Sequence, residues 1–122
     1  MEIQLDHVQV AAPEGCEEAA RRFYGELIGL AEVDKPEALR ARGGVWFALA
    51  DRQLHIGVDD RFAPARKAHP AFSVPAAELD SLAARLQSAG AGVTWDKTLP
   101  GRRRFYCEDP WGNRLEFLAT EG

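Results

Sequence analysis

The stretch Arg104–Ala119 reads RFYCEDPWGNRLEFLA, and its reading decides the fold. At its centre, Asp109-Pro110-Trp111-Gly112-Asn113 is a strong turn, with Pro and Gly in favoured positions. Phe105–Glu108 reads as a strand before the turn and Arg114–Ala119 as a strand after it. Strand side chains alternate between faces. In Leu115-Glu116-Phe117 the apolar neighbours can pack on a helix, so Glu116 points to the other side of the sheet. The same alternation puts Arg104 and Tyr106 together on one face.

Upstream of this segment, Val93–Asp96 reads as a strand. Before it, Leu79, Leu82, Ala83 and Leu86 form the apolar stripe of a helix that Pro75 opens and Gly90 and Gly92 stop. His69–Val74 reads as a strand, with Pro70 tolerable only at an edge or at the strand's start. Residues 59–67 are polar, contain Pro64 and read as a linker.

The same order occurs once more ahead of the linker. Leu5–Val10 reads as a strand and Ala11–Gly15 as a loop. A helix is expected over Cys16–Ile28, with apolar residues at Cys16, Ala19, Ala20, Phe23, Tyr24 and Leu27. Glu17 and Glu18 sit near its start, where the helix dipole favours anions, and Gly29 is its stop. Residues 36–44 are irregular, with room for a short helical turn. Val45–Leu49 and Gln53–Val58 read as two strands of a hairpin across Ala50-Asp51-Arg52.

Each half therefore reads strand, helix and three further strands, the second strand being weak in both. The expected architecture is α+β, with two paired βαβββ modules in one domain of 122 residues. Module one covers about residues 4–58, the linker 59–67 and module two about 68–120. The halves share little identity, so the repeat is one of pattern.

Composition narrows the function classes. Hydrophobic residues make up 46% and charged residues 28%, ordinary values for a globular protein that can bury its own core. A net charge of -4 and a pI near 5.4 argue against nucleic-acid binding. Cys16 and Cys107 form no CxxC pair or zinc-ribbon spacing, and two lone thiols suit a reducing cytosol. The N-terminal MEIQLDHVQV has no basic region or long apolar run, so no signal peptide is expected. No stretch approaches the ~20 apolar residues of a membrane span. A cytoplasmic protein with no membrane or nucleic-acid partner is the expectation.

The chemistry lies in four residues. The chain has only three histidines, and all three fall in expected strands. His7 lies in the first strand of half one and His69 in the first strand of half two, 62 positions on. His55 lies in the last strand of half one and Glu116 in the last strand of half two, 61 positions on. The four candidates thus form two equivalent pairs in two equivalent modules. Alternation sets His55 opposite Leu54 and Ile56, His69 opposite Pro70, Phe72 and Val74, and His7 opposite Val8 and Val10. Three imidazoles and a carboxylate suit one divalent ion such as Zn, Ni, Fe(II), Mn or Co. The competing reading for any single one of them is a structural strand residue; the repeat relation favours metal binding for the set.

LDHVQV with FYGELIGL, QLHIGV, AHPAFSV followed by LAARLQSAG, and RFYCEDPWGNRLEF together resemble the vicinal oxygen chelate superfamily. That superfamily includes glyoxalase I, fosfomycin-resistance enzymes, extradiol dioxygenases and bleomycin-binding proteins. The resemblance covers nearly the whole chain. It implies paired βαβββ modules forming a curled mixed sheet around a cleft, with metal ligands from the first and fourth strands of each module. Carried over by position, these are His7, His55, His69 and Glu116. It also implies a homodimer whose sites are shared between chains, and a small-molecule substrate chelating the metal through vicinal oxygens. Glu116 is then the candidate base, able to leave the metal as in glyoxalase I.

The family pattern places the face of Arg104 and Tyr106 at the site. Arg104 is a candidate for holding a carboxylate or phosphonate, its other reading being a solvated strand charge beside Arg102 and Arg103, and Tyr106 is a candidate for donating a hydrogen bond to a metal-bound oxygen. Trp46 is a candidate pocket wall, its other reading being a core aromatic. Arg66 and Lys67, in the linker, are candidates for attracting an anionic substrate, or are simply solvated. Cys107 reads as core; Cys16, at a helix start, is either a thiol of lowered pKa or a buried inert one.

Some features depart from particular relatives. Glyoxalase I carries an Arg near the end of its first strand where this chain reads Gln9-Val10-Ala11-Ala12, and an Asn that would fall near Asp59. Both differences weaken a glutathione-dependent reading. Fosfomycin enzymes use two His and one Glu and carry a potassium-loop pattern not found here. Many extradiol dioxygenases have four modules, and bleomycin binders lack the metal ligands. The expected function is glyoxalase- or dioxygenase-like chemistry on a metal-chelated substrate, as a lyase, isomerase or dioxygenase. The alternatives are a non-catalytic drug- or metabolite-binding protein and a fosfomycin-type thiol transferase.

Overall fold

In each half of the molecule the first strand pairs in parallel with the last. A computed structural model describes residues 1–120. The chain divides into two compact units, with the boundary in sequence between Pro64 and Ala65. The first contains β1 (His7–Ala12), α1 (Glu17–Ala20) continuing as a π-helix (Arg21–Leu27), β2 (Glu32–Val33), α2 (Glu37–Arg40), β3 (Val45–Leu49) and β4 (Arg52–Val58). The second contains β5 (Ala71–Val74), α3 (Ala76–Ser88), β6 (Thr94–Asp96), β7 (Arg104–Glu108) and β8 (Arg114–Ala119). Two four-stranded mixed sheets result, ordered β1-β4-β3-β2 and β5-β8-β7-β6. This is the paired βαβββ fold expected from the sequence.

Alternation sorts each sheet into an apolar and a polar face. In the first unit Val10, Ala12, Val45, Phe47, Leu54 and Ile56 are buried together with Cys16, Ala20, Phe23 and Tyr24. The Tyr24 ring meets Phe47 at 6.0 Å, between helix and sheet. In the second unit Leu79, Leu82, Ala83 and Leu86 of α3 are buried, as are Phe72, Phe105, Cys107, Leu115 and Phe117 of the sheet. Phe117 lies at the centre, 5.2 Å from Phe72 and 5.3 Å from Phe105. At about 25 cal/mol per Å2 of apolar area, these buried stripes are what hold helix to sheet. Burial also raises both thiols, Cys107 to about 12 and Cys16 in the same direction, so Cys16 is the buried inert thiol and not the activated one.

Several boundaries differ from the expectation. The first strand runs His7–Ala12 and not Leu5–Val10, because its partner β4 supplies register positions only from Gln53 to Val58. The first helix is α-helical only over Glu17–Ala20 and then widens, with the Ile28 N–H donating to the Phe23 carbonyl at 3.0 Å. Its apolar stripe is nonetheless the expected one. His69 and Pro70 precede β5 and are not part of it. The physical reason is Pro70, which has no N–H to give a ladder. Its carbonyl does accept from the Glu116 N–H at 3.1 Å, so His69 stands at the mouth of the parallel pair.

The turn 109–113 is tied by side chains. Buried Asp109 accepts from the Asn113 N–H at 2.8 Å and the Trp111 N–H at 3.0 Å through Oδ1. Its Oδ2 accepts from Asn113 Nδ2 at 2.8 Å, and Asn113 Oδ1 accepts from the Ala65 N–H at 2.9 Å. This network fixes the register of β7 with β8 and pins the start of the second unit.

Gly44 makes the close approach that the first sheet needs. Its φ is 86°, its N–H donates to Glu17 Oε2 at 2.6 Å, and a Cβ there would collide with the Ile56 carbonyl oxygen. Gly44→Ala is expected to lower unfolding free energy by at least about 2 kcal/mol in a denaturant titration. A loss below about 0.5 kcal/mol, the range of neutral surface changes, would show that the approach is not required.

Candidate metal centre

The polar face of the first sheet carries His7, Gln9, Trp46, Gln53 and His55. Parallel register places His7 opposite Gln53 and Gln9 opposite His55, and antiparallel register places Trp46 opposite His55. The His55 ring is sandwiched, 4.3 Å from His7 on one side and 3.8 Å from Trp46 on the other, the indole lying within 2° of parallel. Trp46 is therefore half-buried on the histidine face and not a core aromatic. His55 is only 6% exposed, with Nε2 at 2.9 Å from Gln53 Oε1, while His7 is exposed and has Nδ1 at 2.8 Å from Asp6 Oδ1. Burial first, then the electrostatic influence of neighbouring His7, holds the His55 imidazole below its ordinary 6.5. The shift favours the neutral ring, the form a metal needs.

The polar face of the second sheet carries Glu116, Tyr106, Arg104 and Arg114, with Tyr106 directly opposite Glu116 in the register. Glu116 is buried, and each of its oxygens has a partner: His69 Nε2 lies 2.9 Å from Oε1, and Arg104 Nη1 donates to Oε2 at 3.2 Å. His69 Nδ1 lies 2.8 Å from the Lys67 carbonyl oxygen. A ligating histidine characteristically gives its second ring N–H to a carbonyl or carboxylate, which fixes the tautomer. The Lys67 carbonyl is placed to do this for His69 and Asp6 for His7, while Nε2 of His69 faces Glu116.

Arg104 has more partners than the sequence suggests. Besides Glu116 it reaches Asp96 Oδ2 at 3.1 Å and Thr98 Oγ1 at 3.3 Å, and its buried Nε has no hydrogen-bond partner. Tyr106 meets the His69 ring edge-on at 5.5 Å and carries the Arg114 guanidinium over its own ring at 3.9 Å. Gln53, Asp96 and Arg114 do not stand out in the sequence, and Lys67 does so only for its charge and not for its carbonyl. Strand alternation could have found Gln53, two positions from His55, and Arg114, two positions from Glu116. The Lys67 and Asp96 contacts depend on loop and edge geometry.

The four sequence candidates are thus brought together as two pairs, His7 with His55 and His69 with Glu116. Among the described residues no group of three or more His, Cys, Asp or Glu side chains converges. Two imidazoles in one unit and an imidazole with a carboxylate in the other fit a divalent ion in chemistry.

Residues 4–117 match the family model of the Glyoxalase/Bleomycin resistance protein/Dioxygenase superfamily, and the chain belongs to that superfamily. A Bacillus anthracis protein assigned to the glyoxalase family is 49% identical, with a TM-score of 0.91 over 99% of this chain and 98% of that one. A variant of the fosfomycin resistance protein FosX from Listeria monocytogenes shares the fold at 19% identity, with a TM-score of 0.80 over 99% of this chain and 95% of that one. That structure holds Mn(II) and 1S,2S-dihydroxypropylphosphonic acid. Metallothiol transferase FosB from Shouchella clausii (strain KSM-K16) is 35% identical over 82 residues, 61% of this chain. The match spans about half, 51%, of that relative. No helix among the described residues is long and apolar enough to cross a membrane.

The lowered pKa of His55 sets a pH dependence. The unfolded chain protonates this ring near the ordinary 6.5, whereas the folded chain resists protonation to lower pH. The stability tied to neutral His55 is fully present above 6.5 and is lost as pH falls below it. Denaturant midpoints between about pH 7.5 and pH 5.5, the histidine range, should fall more for the metal-free wild type than for His55→Gln. Equal slopes would contradict the assignment.

Proposed function

We propose that this chain is a divalent-metal-dependent enzyme acting on a small substrate with two vicinal oxygens, with His7, His55, His69 and Glu116 as the metal ligands. The observation that carries this reading is the equivalence of the two pairs: each unit offers its ligands from or beside its first and last strands, on the polar sheet face. The Lys67 carbonyl behind His69 and the carboxylate beside His7 support the same reading. Zn, Ni, Fe(II), Mn and Co all accept such a donor set. Superfamily membership supports a homodimer in which one copy completes the ligand set of the other. Two buried free thiols accord with a reducing, cytoplasmic setting.

A bound divalent ion would polarise the chelating oxygens of the substrate. Glu116 serves as the base, taking a proton from the substrate carbon or hydroxyl at one carboxylate oxygen while Arg104 keeps the other in place. Arg104 can also contact an anionic substrate, though three protein acceptors already compete for it. Tyr106 donates from its phenol to a substrate oxygen beside His69. Trp46 supplies a flat apolar wall and limits rotation of His55.

A second reading is favoured by the FosB relative and by the phosphonate bound in FosX: addition of a thiol or water to a phosphonate epoxide. It uses the same ligands and the same polar face. A non-catalytic binding role has no need of four retained donors.

Protein purified without chelator is expected to retain about one divalent ion per chain by elemental analysis. His55→Ala and His69→Ala are each expected to weaken binding by at least roughly tenfold. Metal-reconstituted protein should turn over at least one of three probes: methylglyoxal with a thiol, a catechol, or fosfomycin with a thiol. Rejection of Ni, Zn, Mn, Co and Fe(II) by the wild type would sink the enzyme reading. Sedimentation should show a dimer at micromolar concentration; a monomer that still binds metal tightly would exclude sites completed by a second copy.

A further inference from the structure

We propose that a cavity beside Tyr106 binds the oxyanion of the substrate, a carboxylate or a phosphoryl group, chiefly through Arg114 and secondarily through Arg66. The proposal rests on the reading of this face as a substrate site and names its substrate class as anionic.

The cavity lies within the second unit and measures about 360 Å3, inside the range of small-ligand sites. Arg66, Thr94, Tyr106, Glu108, Gly112 and Arg114 line it. Register pairs Tyr106 with Glu116 and Glu108 with Arg114, so the cavity opens on the face that carries Glu116, toward the turn 109–113. Tyr106 joins the two places, with His69 at its edge and Arg114 over its ring.

The two arginines of this face differ in what they are free to do. Arg104 is held by Glu116, Asp96 and Thr98. Arg114 is held only by the Tyr106 ring, at 3.9 Å, and its side chain has no hydrogen bond or ion pair among the described residues. Stacking occupies the flat face of a guanidinium and leaves its in-plane N–H donors unused. Those donors form the fork that matches an oxyanion. Arg66 has one partner, Glu108, at the long distance of 3.9 Å. Glu108 opposes an incoming anion and competes for Arg66, so the lining carries a net charge of about +1 and Arg114 is the stronger contributor.

The test is titration of the metal-free chain with sulfate, at low ionic strength and about pH 8, above the ordinary histidine range. Saturable binding is expected. Arg114→Ala should weaken it roughly tenfold or more and Arg66→Ala by less, while Glu108→Gln should strengthen it severalfold. Arg114→Lys, which keeps the charge and loses the fork, should fall between wild type and Arg114→Ala. Absence of saturable sulfate binding, or equal affinity in Arg114→Ala, would overturn the proposal. If Arg114→Ala does not fold, the opposite shifts of Arg66→Ala and Glu108→Gln decide, and no shift in either refutes it. Metal affinity of Arg114→Ala should equal that of wild type; loss of both metal and sulfate binding would place Arg114 in the metal site and overturn the proposal. A wild type that binds sulfate but no metal would refute the enzyme reading alone.

Discussion

The parallel pairing of first and last strands is the constraint on which the rest depends. β1 beside β4 brings His7 to His55, and the chain entering β5 beside β8 brings His69 to Glu116. A parallel pair needs a long crossover, and the helix and two intervening strands of each unit provide it. The crossover in turn needs an apolar sheet face to pack on. Leu54 and Ile56 flank His55, and Leu115 and Phe117 flank Glu116 for that reason. The same alternation that seats the helix therefore aims the polar side chains the other way. A one-residue slip in either pair would turn these polar side chains into the core.

Polar groups on these faces are costly to bury and are supported accordingly. Glu116 is 5% exposed, yet both oxygens are engaged. Taking either His69 or Arg104 away would leave part of a buried carboxylate unpaired, which costs several kcal/mol in the general case. His55 meets the problem differently: it sits between two rings and its burial favours the neutral form. The unpartnered Nε of Arg104 shows that the second network is not fully closed. Unmet polar groups gather at sites built for a ligand.

Much of this was legible in the sequence. Turn chemistry at Asp109–Asn113, the apolar stripe of α3 and the alternation around His55 and Glu116 each have one dominant physical cause, so local reasoning suffices. The strand containing Val45–Leu49 and the final strand have the expected bounds for the same reason. Where tertiary terms decide, it does not suffice. The widening of the first helix leaves its apolar stripe unchanged, so periodicity cannot register it. The start of β1 is set by where β4 offers partners, and the exclusion of His69 from β5 by the missing N–H of Pro70. The commitment of Arg104 to Asp96 and Thr98 depends on how β6 and its following loop lie, and a strand pattern carries no record of that. In sequence, a strand arginine beside a turn such as Arg114 looks like any solvated charge; its ring partner is what sets it apart.

The most direct measurement is metal-edge X-ray absorption on wild-type protein loaded with one equivalent of Zn or Co. The multiple-scattering pattern counts the imidazoles bound to the ion. Three imidazoles with additional oxygen ligands are expected if both strand pairs serve one ion. A first shell of oxygens with no imidazole, or with a single one, would contradict the pairing of His7 and His55 with His69 and Glu116 on a common metal.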